Sequence, residues 1–253
     1  MELKVMTFNI RIPLPNDGVN SFTNRQPLIK ALIDGEAPDI IGIQEATDDI
    51  KKWLRSAIGS EYDVIGCGRD ADRFGESCPI AYKKDLFELV SFETFALSPT
   101  PHIPGSKFPE PLQSKFPRMA SHACLVHREL DRPIHFFNTH FDFKTDEVAT
   151  LGMTVMLERL SACDGTLFLT GDMNSIPHKL AMRLPLEMSA CPLVDATAHI
   201  VHTSHDFGNN TENKKIDYIF TNAKVLECYP RDDEPVDGTW ISDHFPVVAV
   251  LEM

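Results

Sequence analysis

Short apolar runs that end abruptly in polar groups constrain this chain more than any other feature of its sequence. Five of them finish at Asn9, at Glu45, in Asn138-Thr139-His140-Phe141-Asp142, in Gly171-Asp172-Met173-Asn174 and in Ser242-Asp243-His244. A sixth, Lys215-Ile216-Asp217-Tyr218-Ile219, carries its acid inside the run. A carboxylate beside a core costs free energy unless it is paired or bound to a cation. One such placement is ordinary, but six in one chain point to convergence on a single site. Strand spacing agrees, because residues i and i+2 share a face. His140 can point with Asp142, and Asp172 with Asn174, whereas the adjacent Asp243 and His244 serve different partners. An imidazole beside carboxylates and asparagine amides suits phosphoryl transfer, with carboxylates for a hard cation and Asn and His donors for phosphate oxygens.

The stretches between these ends indicate the fold class. The β-branched run 4–10 reads as a buried strand. Leu28, Ile29, Leu32 and Ile33 form a helical stripe within 25–35, stopped by Gly35 and Pro38. The apolar strand 39–45 leads into a helix capped by Thr47 or Asp48, with Ile50, Trp53, Leu54 and Ile58 on one face. Further strands are predicted at 62–66, 80–83, 87–97, 120–127, 134–138, 166–170, 216–220 and 245–251. Helices are predicted at 146–162, with Met153, Met156, Leu157 and Leu160 facing the core, and at 179–184. Six prolines between Leu97 and Arg118 specify a long stiff loop, since proline cannot donate to a sheet ladder. That loop is expected to narrow the entrance to the site, with Phe108 or Phe116 as a wall. Many strands with few helices predict two stacked sheets with helices outside. No linker or internal repeat interrupts the pattern, so residues 1–253 read as one domain.

Charge and cysteine content narrow the function. Lys and Arg number 24 against 37 Asp and Glu, a formal net charge of −13. The basic residues cluster only as the pairs Lys51-Lys52, Lys83-Lys84 and Lys214-Lys215. A protein that coats nucleic acid needs a basic face to displace counterions, so that role is excluded. An enzyme that meets a phosphate locally, helped by a metal ion, is not. Cys67, Cys78, Cys124, Cys163, Cys191 and Cys228 include no Cys-x-x-Cys pair and read as reduced thiols, mostly buried, of a cytoplasmic protein. The opening MELKVMTFNIRI has no charged leader and no long apolar stretch. No apolar run approaches the roughly 18 residues that span a bilayer, and no basic amphipathic helix suggests membrane docking.

The ordered segments MTFNIR, DIIGIQE, GRDADRFGESCPIAY, FNTHFD, LTGDMNS, KIDYIF and SDHFPV resemble those of the endonuclease/exonuclease/phosphatase superfamily. This DNase I-like group includes apurinic endonucleases, inositol-polyphosphate 5-phosphatases and bacterial sphingomyelinases. The resemblance runs from residue 6 to residue 247 and implies a four-layer α/β/β/α sandwich of two packed mixed sheets. It implies that Glu45 binds a Mg²⁺ or Mn²⁺ ion, with Asn9 and Asp243 near it. Asp172 matches the group that orients or deprotonates the attacking water, Asn174 a phosphate-contacting amide, and His244 the histidine on the scissile phosphate. Asp217 matches the acid that orients His244. His140 matches the second histidine of the DNase I and phosphatase branches, with Glu76 behind it. Arg118 resembles their phosphate-binding arginine. Thr203–Gly208 resembles a pocket loop carrying His205, with Ser204 in place of a phenylalanine. Close relatives carry a histidine after the NTHFD motif and an arginine further on, where this chain has Phe143 and Thr150. Asp142 reads either as a structural acid or as a support for a neighbour.

Two motifs point elsewhere. Gly66-Cys-Gly68-Arg-Asp-Ala71 fits a dinucleotide-binding fingerprint, but polar residues and Gly75 follow it instead of an apolar helix. His199, His202 and His205 recur every three residues and raise the alternative of a zinc hydrolase. The leading expectation is a metal-dependent phosphoesterase that uses direct in-line attack by water. Its substrate is expected to be a small phosphorylated metabolite or short phosphodiester. Nuclease activity and non-catalytic binding of phosphorylated ligands are the alternatives.

Overall fold

Alternation along the strands decides the layering. The computed structural model describes residues 1–130, 132–188, 192–210, 212 and 214–253, and among these the strands form two six-stranded sheets. The first runs in the order β11 (Lys224–Pro230), β12 (Val247–Glu252), β1 (Glu2–Asn9), β2 (Ile40–Gln44), β4 (Ile80–Lys83) and β3 (Tyr62–Ile65). The second runs β5 (Phe87–Ala96), β6 (Met119–His127), β7 (Pro133–His140), β8 (Thr166–Asp172), β10 (Asp217–Thr221) and β9 (Val194–Asp195). The central pair of each sheet is parallel, β1 with β2 and β7 with β8. All other pairs are antiparallel.

Parallel neighbours need a crossover, and here each crossover is a helix: α1 (Phe22–Glu36) from β1 to β2, and α3 (Asp146–Leu160) from β7 to β8. With α2 (Asp48–Ala57) and the short α4 (Leu180–Arg183), these helices cover the outer faces. Leu3, Val5 and Ile40 of the first sheet meet Phe136, Phe168 and Ile219 of the second in the central core. The alternate residues Met6, Phe8, Ile41 and Ile43 pack under α1 and α2. Phe137, Leu167, Leu169 and Tyr218 pack under α3, where Met153 and Met156 are fully buried. This is the expected α/β/β/α sandwich.

Several expected elements end differently. Strands β7 and β8 continue to His140 and Asp172, so their polar ends belong to the sheet. Asp217 opens β10 instead of lying inside it. Because β10 runs antiparallel to β8, its start lies where β8 stops, and Asp217 pairs with Asp172. The sequence reading missed β11, whose burial alternates poorly, and the two-residue β9. The helix expected at 179–184 divides into α4 and a 3-10 turn over Leu184–Glu187. Phe108, within the proline-rich loop, is buried and is no entrance wall, whereas the Arg69 guanidinium lies 4.7 Å from the Phe116 ring centroid. Gly66–Ala71 leads into turns and no helix, which removes the dinucleotide reading. Five cysteines are free; Cys191 lies outside the described residues.

Asn138 ties the sheets together and does not enter the cleft. Its amide donates to Ile43 O at 2.7 Å and Pro79 O at 2.9 Å, and its oxygen accepts from Gln44 Nε2 at 2.6 Å. Gly42 faces this tie, and a Cβ there would stand 2.3 Å from Thr170 Oγ1 and 2.7 Å from Asn138 Oδ1. Gly42→Ala should therefore cost about 1–3 kcal/mol of stability through overpacking. Urea unfolding measures this, and an unchanged midpoint would show that the sheets can separate locally at no cost.

Candidate active site

The strand ends meet where β1, β2, β7 and β8 stop and β10 starts. On β8, Phe168 faces the central core, so its same-face neighbours Thr170 and Asp172 face the gap between the sheets. The same alternation brings His140 in from β7, whose register places it opposite Asp172. Asp172 is the hub. Its Oδ2 lies 3.5 Å from His140 Nε2 and 3.8 Å from His244 Nε2, and accepts from Asn9 Nδ2 at 3.0 Å. Its Oδ1 accepts from the Asn174 backbone at 2.8 Å. Asn174 takes a left-handed φ of 45°, and its amide sits 3.0 Å from His140 Nε2.

Each imidazole has a carboxylate behind it. His244 Nδ1 lies 2.8 Å from Asp217 Oδ2, with both groups buried. Burial works against the charge on His244, but Asp217, Asp172 and Asp243 outweigh it and hold its pKa well above the ordinary value. His140 Nδ1 lies 3.2 Å from Glu76 Oε1. Burial and Arg118 lower the His140 pKa, and Asp172 with Glu76 more than reverse them. Burial alone would raise the Glu76 pKa; His140, Arg69 and Arg118 bring it down to about 2. For Asp172, too, burial is outweighed by the two imidazoles, and its pKa is lowered. The centre is a carboxylate held between two imidazoles that favour their charged forms.

The acids on the other side of Asn9 form a second group. Asn9 Nδ2 also donates to Glu45 Oε1 at 3.1 Å, and Glu45 Oε2 accepts from the Ile12 backbone at 2.7 Å. Glu45 has a left-handed φ of 62°, which turns its carboxylate back over the end of β2. Arg11, with a φ of 60°, donates to Asp243 Oδ2 at 2.9 Å and to Asp17 at 3.3 Å. Burial opposes the Arg11 charge, but Asp243, Glu45 and Asp17 together raise its pKa. Glu45 and Asp243 offer hard oxygen donors, the chemistry a Mg²⁺ or Mn²⁺ ion takes, whereas the Asn9 oxygen accepts from the Arg11 backbone at 3.0 Å and only its NH₂ faces Glu45. Asp172, Asp217 and His244 also gather closely enough to ligate an ion. That trio fits a proton relay better, because His244 already sits between two carboxylates and its raised pKa opposes the neutral form a ligand needs.

Sequence reasoning missed Arg11 and Arg25. The Arg25 side chain is fully buried and donates to the carbonyls of Ile10, Arg11, Asn20 and Ile241. It clamps the segments that carry Asn9 and Asp243. An arginine among the apolar residues of α1 was the available signal.

Two expected phosphate contacts take a different form. Arg118 is buried, 3.3 Å from Asp142 Oδ2 and 3.7 Å from Glu76 Oε1, so it is already paired. Asp142 lies beyond the end of β7 and does not share a strand face with His140. Its carboxylate accepts from the Ser114 backbone and hydroxyl, pinning the proline-rich loop. Phe143 lies against the Arg118 guanidinium at 5.8 Å. His205 is buried and stacks on Phe245 with ring centroids 4.1 Å apart. Burial, with His244 nearby, lowers its pKa to about 4, so it is neutral and cannot serve as the expected positive donor. Its Nδ1 accepts from the Gly208 backbone, which leaves Nε2–H buried without a partner. His199 and His202 bond to the carbonyls of Cys228 and Ser204. The run of three histidines gathers no ligand set among the described residues.

The chain has counterparts among known proteins. The sequence model of the Endonuclease/Exonuclease/phosphatase family matches residues 6–244. The chain belongs to that family. Its members are phosphoesterases and nucleases, so its reaction class is hydrolysis. An uncharacterized protein, L388, of Acanthamoeba polyphaga mimivirus is 25% identical over 252 residues, covering 92% of this chain and 93% of L388. The crystal structure of a family member from Bacteroides vulgatus superposes with a TM-score of 0.91 at 28% identity, covering 100% of this chain and 99% of that one. A mannosyl-6-phosphatase of Bacteroides thetaiotaomicron superposes with a TM-score of 0.84 at 26% identity, covering 99% of this chain and 100% of that one. Among the described residues no helix is long and apolar enough to cross a membrane.

Proposed function

We propose that this chain is a divalent-metal-dependent phosphoesterase, acting as one domain on a small phosphorylated metabolite in a reducing, cytoplasmic setting. The observation that carries this reading is Asp172, buried between two imidazoles and held by Asn9 and the Asn174 backbone. A carboxylate fixed in that way can orient a water in line with a phosphorus atom and accept its proton. His244, kept cationic by Asp217, and His140, backed by Glu76, flank the place where charge gathers on the phosphoryl oxygens. Asn174 adds a neutral donor. As the water oxygen bonds to phosphorus, the ester oxygen leaves with the bonding electrons. Ser242 lies beside Asp243, but its hydroxyl is fully buried and donates to the Asn9 carbonyl at 2.6 Å, so direct attack by water is the simpler route.

The metal fits the chain's own donors. Glu45 and Asp243 would hold Mg²⁺ or Mn²⁺, with Arg11 as the competing counter-charge and Asn9 beside them, its NH₂ fixing the Glu45 carboxylate. The ion would supply Lewis-acid polarisation and leaving-group stabilisation. Glu45→Gln should raise the Mg²⁺ concentration for half-maximal activity by about 10–100-fold, with part of the rate recovered at excess metal. A metal titration of the variant that overlays the wild-type curve would remove Glu45 from this role.

Net charge and the absence of a basic stripe favour a compact substrate, and similarity to a mannosyl-6-phosphatase favours a sugar phosphate. The test is a panel of sugar phosphates, inositol phosphates, nucleotides, aryl phosphodiesters and single- and double-stranded DNA, run with Mg²⁺ and with Mn²⁺. The expected result is fastest turnover of a small phosphate, abolished by EDTA and by Asp172→Asn. Faster, Asp172-dependent cleavage of DNA would overturn the substrate and make the protein a nuclease. Binding without turnover of any panel member would leave only a phospho-ligand-binding role.

A further inference from the structure

The outer face of the second sheet carries a group of donor atoms that takes no part in the cleft. We propose that His122, His135 and Cys163 form a second metal site that takes a borderline-soft ion, Zn²⁺, with solvent as the fourth ligand. One donor atom from each of the three lies within 4.8 Å of the other two. His122 on β6 pairs across the strands with Phe137, which places His135 diagonally beside it on the same face. Cys163 reaches them from the turn after α3. Phe136 and Ala123 on the opposite face belong to the central core, so the sheet itself separates this group from Asp172 and His244.

The two rings face each other with His122 Nε2 2.9 Å from His135 Nδ1. Behind them, His122 Nδ1 lies 3.3 Å from Glu93 Oε1, and the His135 ring bonds to the Asp164 backbone. A carboxylate only accepts, so His122 donates through Nδ1 and turns the Nε2 lone pair toward His135. The Asp164 bond raises the His135 pKa, so His135 donates in it and turns its Nδ1 lone pair toward His122. Two neutral rings then face each other lone pair to lone pair, a gap that a proton or a metal cation must bridge. A carboxylate behind a ligating imidazole is the arrangement that fixes such rings in metal sites. Arg159, 3.4 Å from Glu93, holds that carboxylate in place, and the His122 ring is fixed by stacking on Phe137 at 4.0 Å. All three ligands are half-buried and reachable from solvent. Burial lowers the pKa of both imidazoles, which keeps them neutral Lewis bases. Burial pushes the Cys163 thiol up to about 11, so binding releases its proton and weakens as pH falls. Two nitrogens and a sulfur select zinc over magnesium.

Cobalt reports this coordination directly. The metal-stripped full-length protein, in excess Mg²⁺, should bind one equivalent of Co²⁺ with a thiolate-to-cobalt charge-transfer band that added Zn²⁺ bleaches. Cys163→Ser should lose the band, and His122→Gln should weaken binding at least tenfold. Glu45→Gln and Asp172→Asn should leave it unchanged. In unmutated protein, Zn²⁺ should protect Cys163 but not Cys67 from alkylation, read by mass spectrometry, which keeps the test independent of how the variants fold. Absence of a thiolate band, or equal alkylation of Cys163 with and without Zn²⁺, would overturn the proposal and leave a hydrogen-bonded histidine pair.

Discussion

Asp172→Asn is expected to lower kcat by at least about 10³-fold with KM changed only a few-fold, because a base acts in the transition state and little in ground-state binding. The substitution keeps the shape of the side chain. The Asn174 backbone can still donate to the amide oxygen, so the loop need not move. Proton acceptance is lost, as is the negative charge that raises the pKa of both His140 and His244. The variant therefore separates chemistry from binding if substrate still protects it against heat. Single-turnover kinetics with the best substrate of the panel measures the effect. A phospho-enzyme trapped on any side chain would reject direct attack by water, and a rate within tenfold of wild type would move the base elsewhere.

The layering was legible in the sequence because burial repeats along it. The inner residues of β1, β2, β7 and β8 alternate with outer ones, and helical stripes mark α1, α2 and α3. The convergence of polar strand ends was legible for the same reason. An apolar strand cannot stop in a carboxylate inside a sandwich unless something at that end receives it. The pairing of those ends was not legible. That Asp217 meets both His244 and Asp172 depends on β10 running antiparallel to β8, a long-range choice with no local signal. Arg11 was hidden because its role rests on a left-handed backbone that brings its guanidinium to Asp243. Asp142 and Arg118 read as a strand-face acid and a free phosphate ligand, yet Ser114 and Arg118, both in the loop between β5 and β6, engage Asp142. His205 sits in the segment that suggested a pocket, but its charge depends on stacking and burial, which sequence spacing does not express.

The second large effect concerns the buried pair behind the phosphate. His244→Ala should lower kcat by about 10²–10³-fold, the range found on removing one donor to a developing oxyanion. Asp217→Asn should lose most of the same activity without touching substrate, because its carboxylate is what holds the His244 proton at 2.8 Å. The sign follows from the directions of the shifts. Burial lowers the His244 pKa, and Asp217 is first among the groups that raise it again. Removing the Asp217 charge lowers that pKa, so the alkaline fall of kcat with pH should begin at lower pH in Asp217→Asn than in wild type. Low pH should then rescue Asp217→Asn but not His244→Ala, a difference that a purely structural role for Asp217 cannot produce. The double variant should be little worse than His244→Ala alone, so the coupling energy should equal nearly the whole cost of Asp217→Asn. Additive losses, or an unmoved pH profile in Asp217→Asn, would mean that the two residues act separately and that some other group sets the charge on His244.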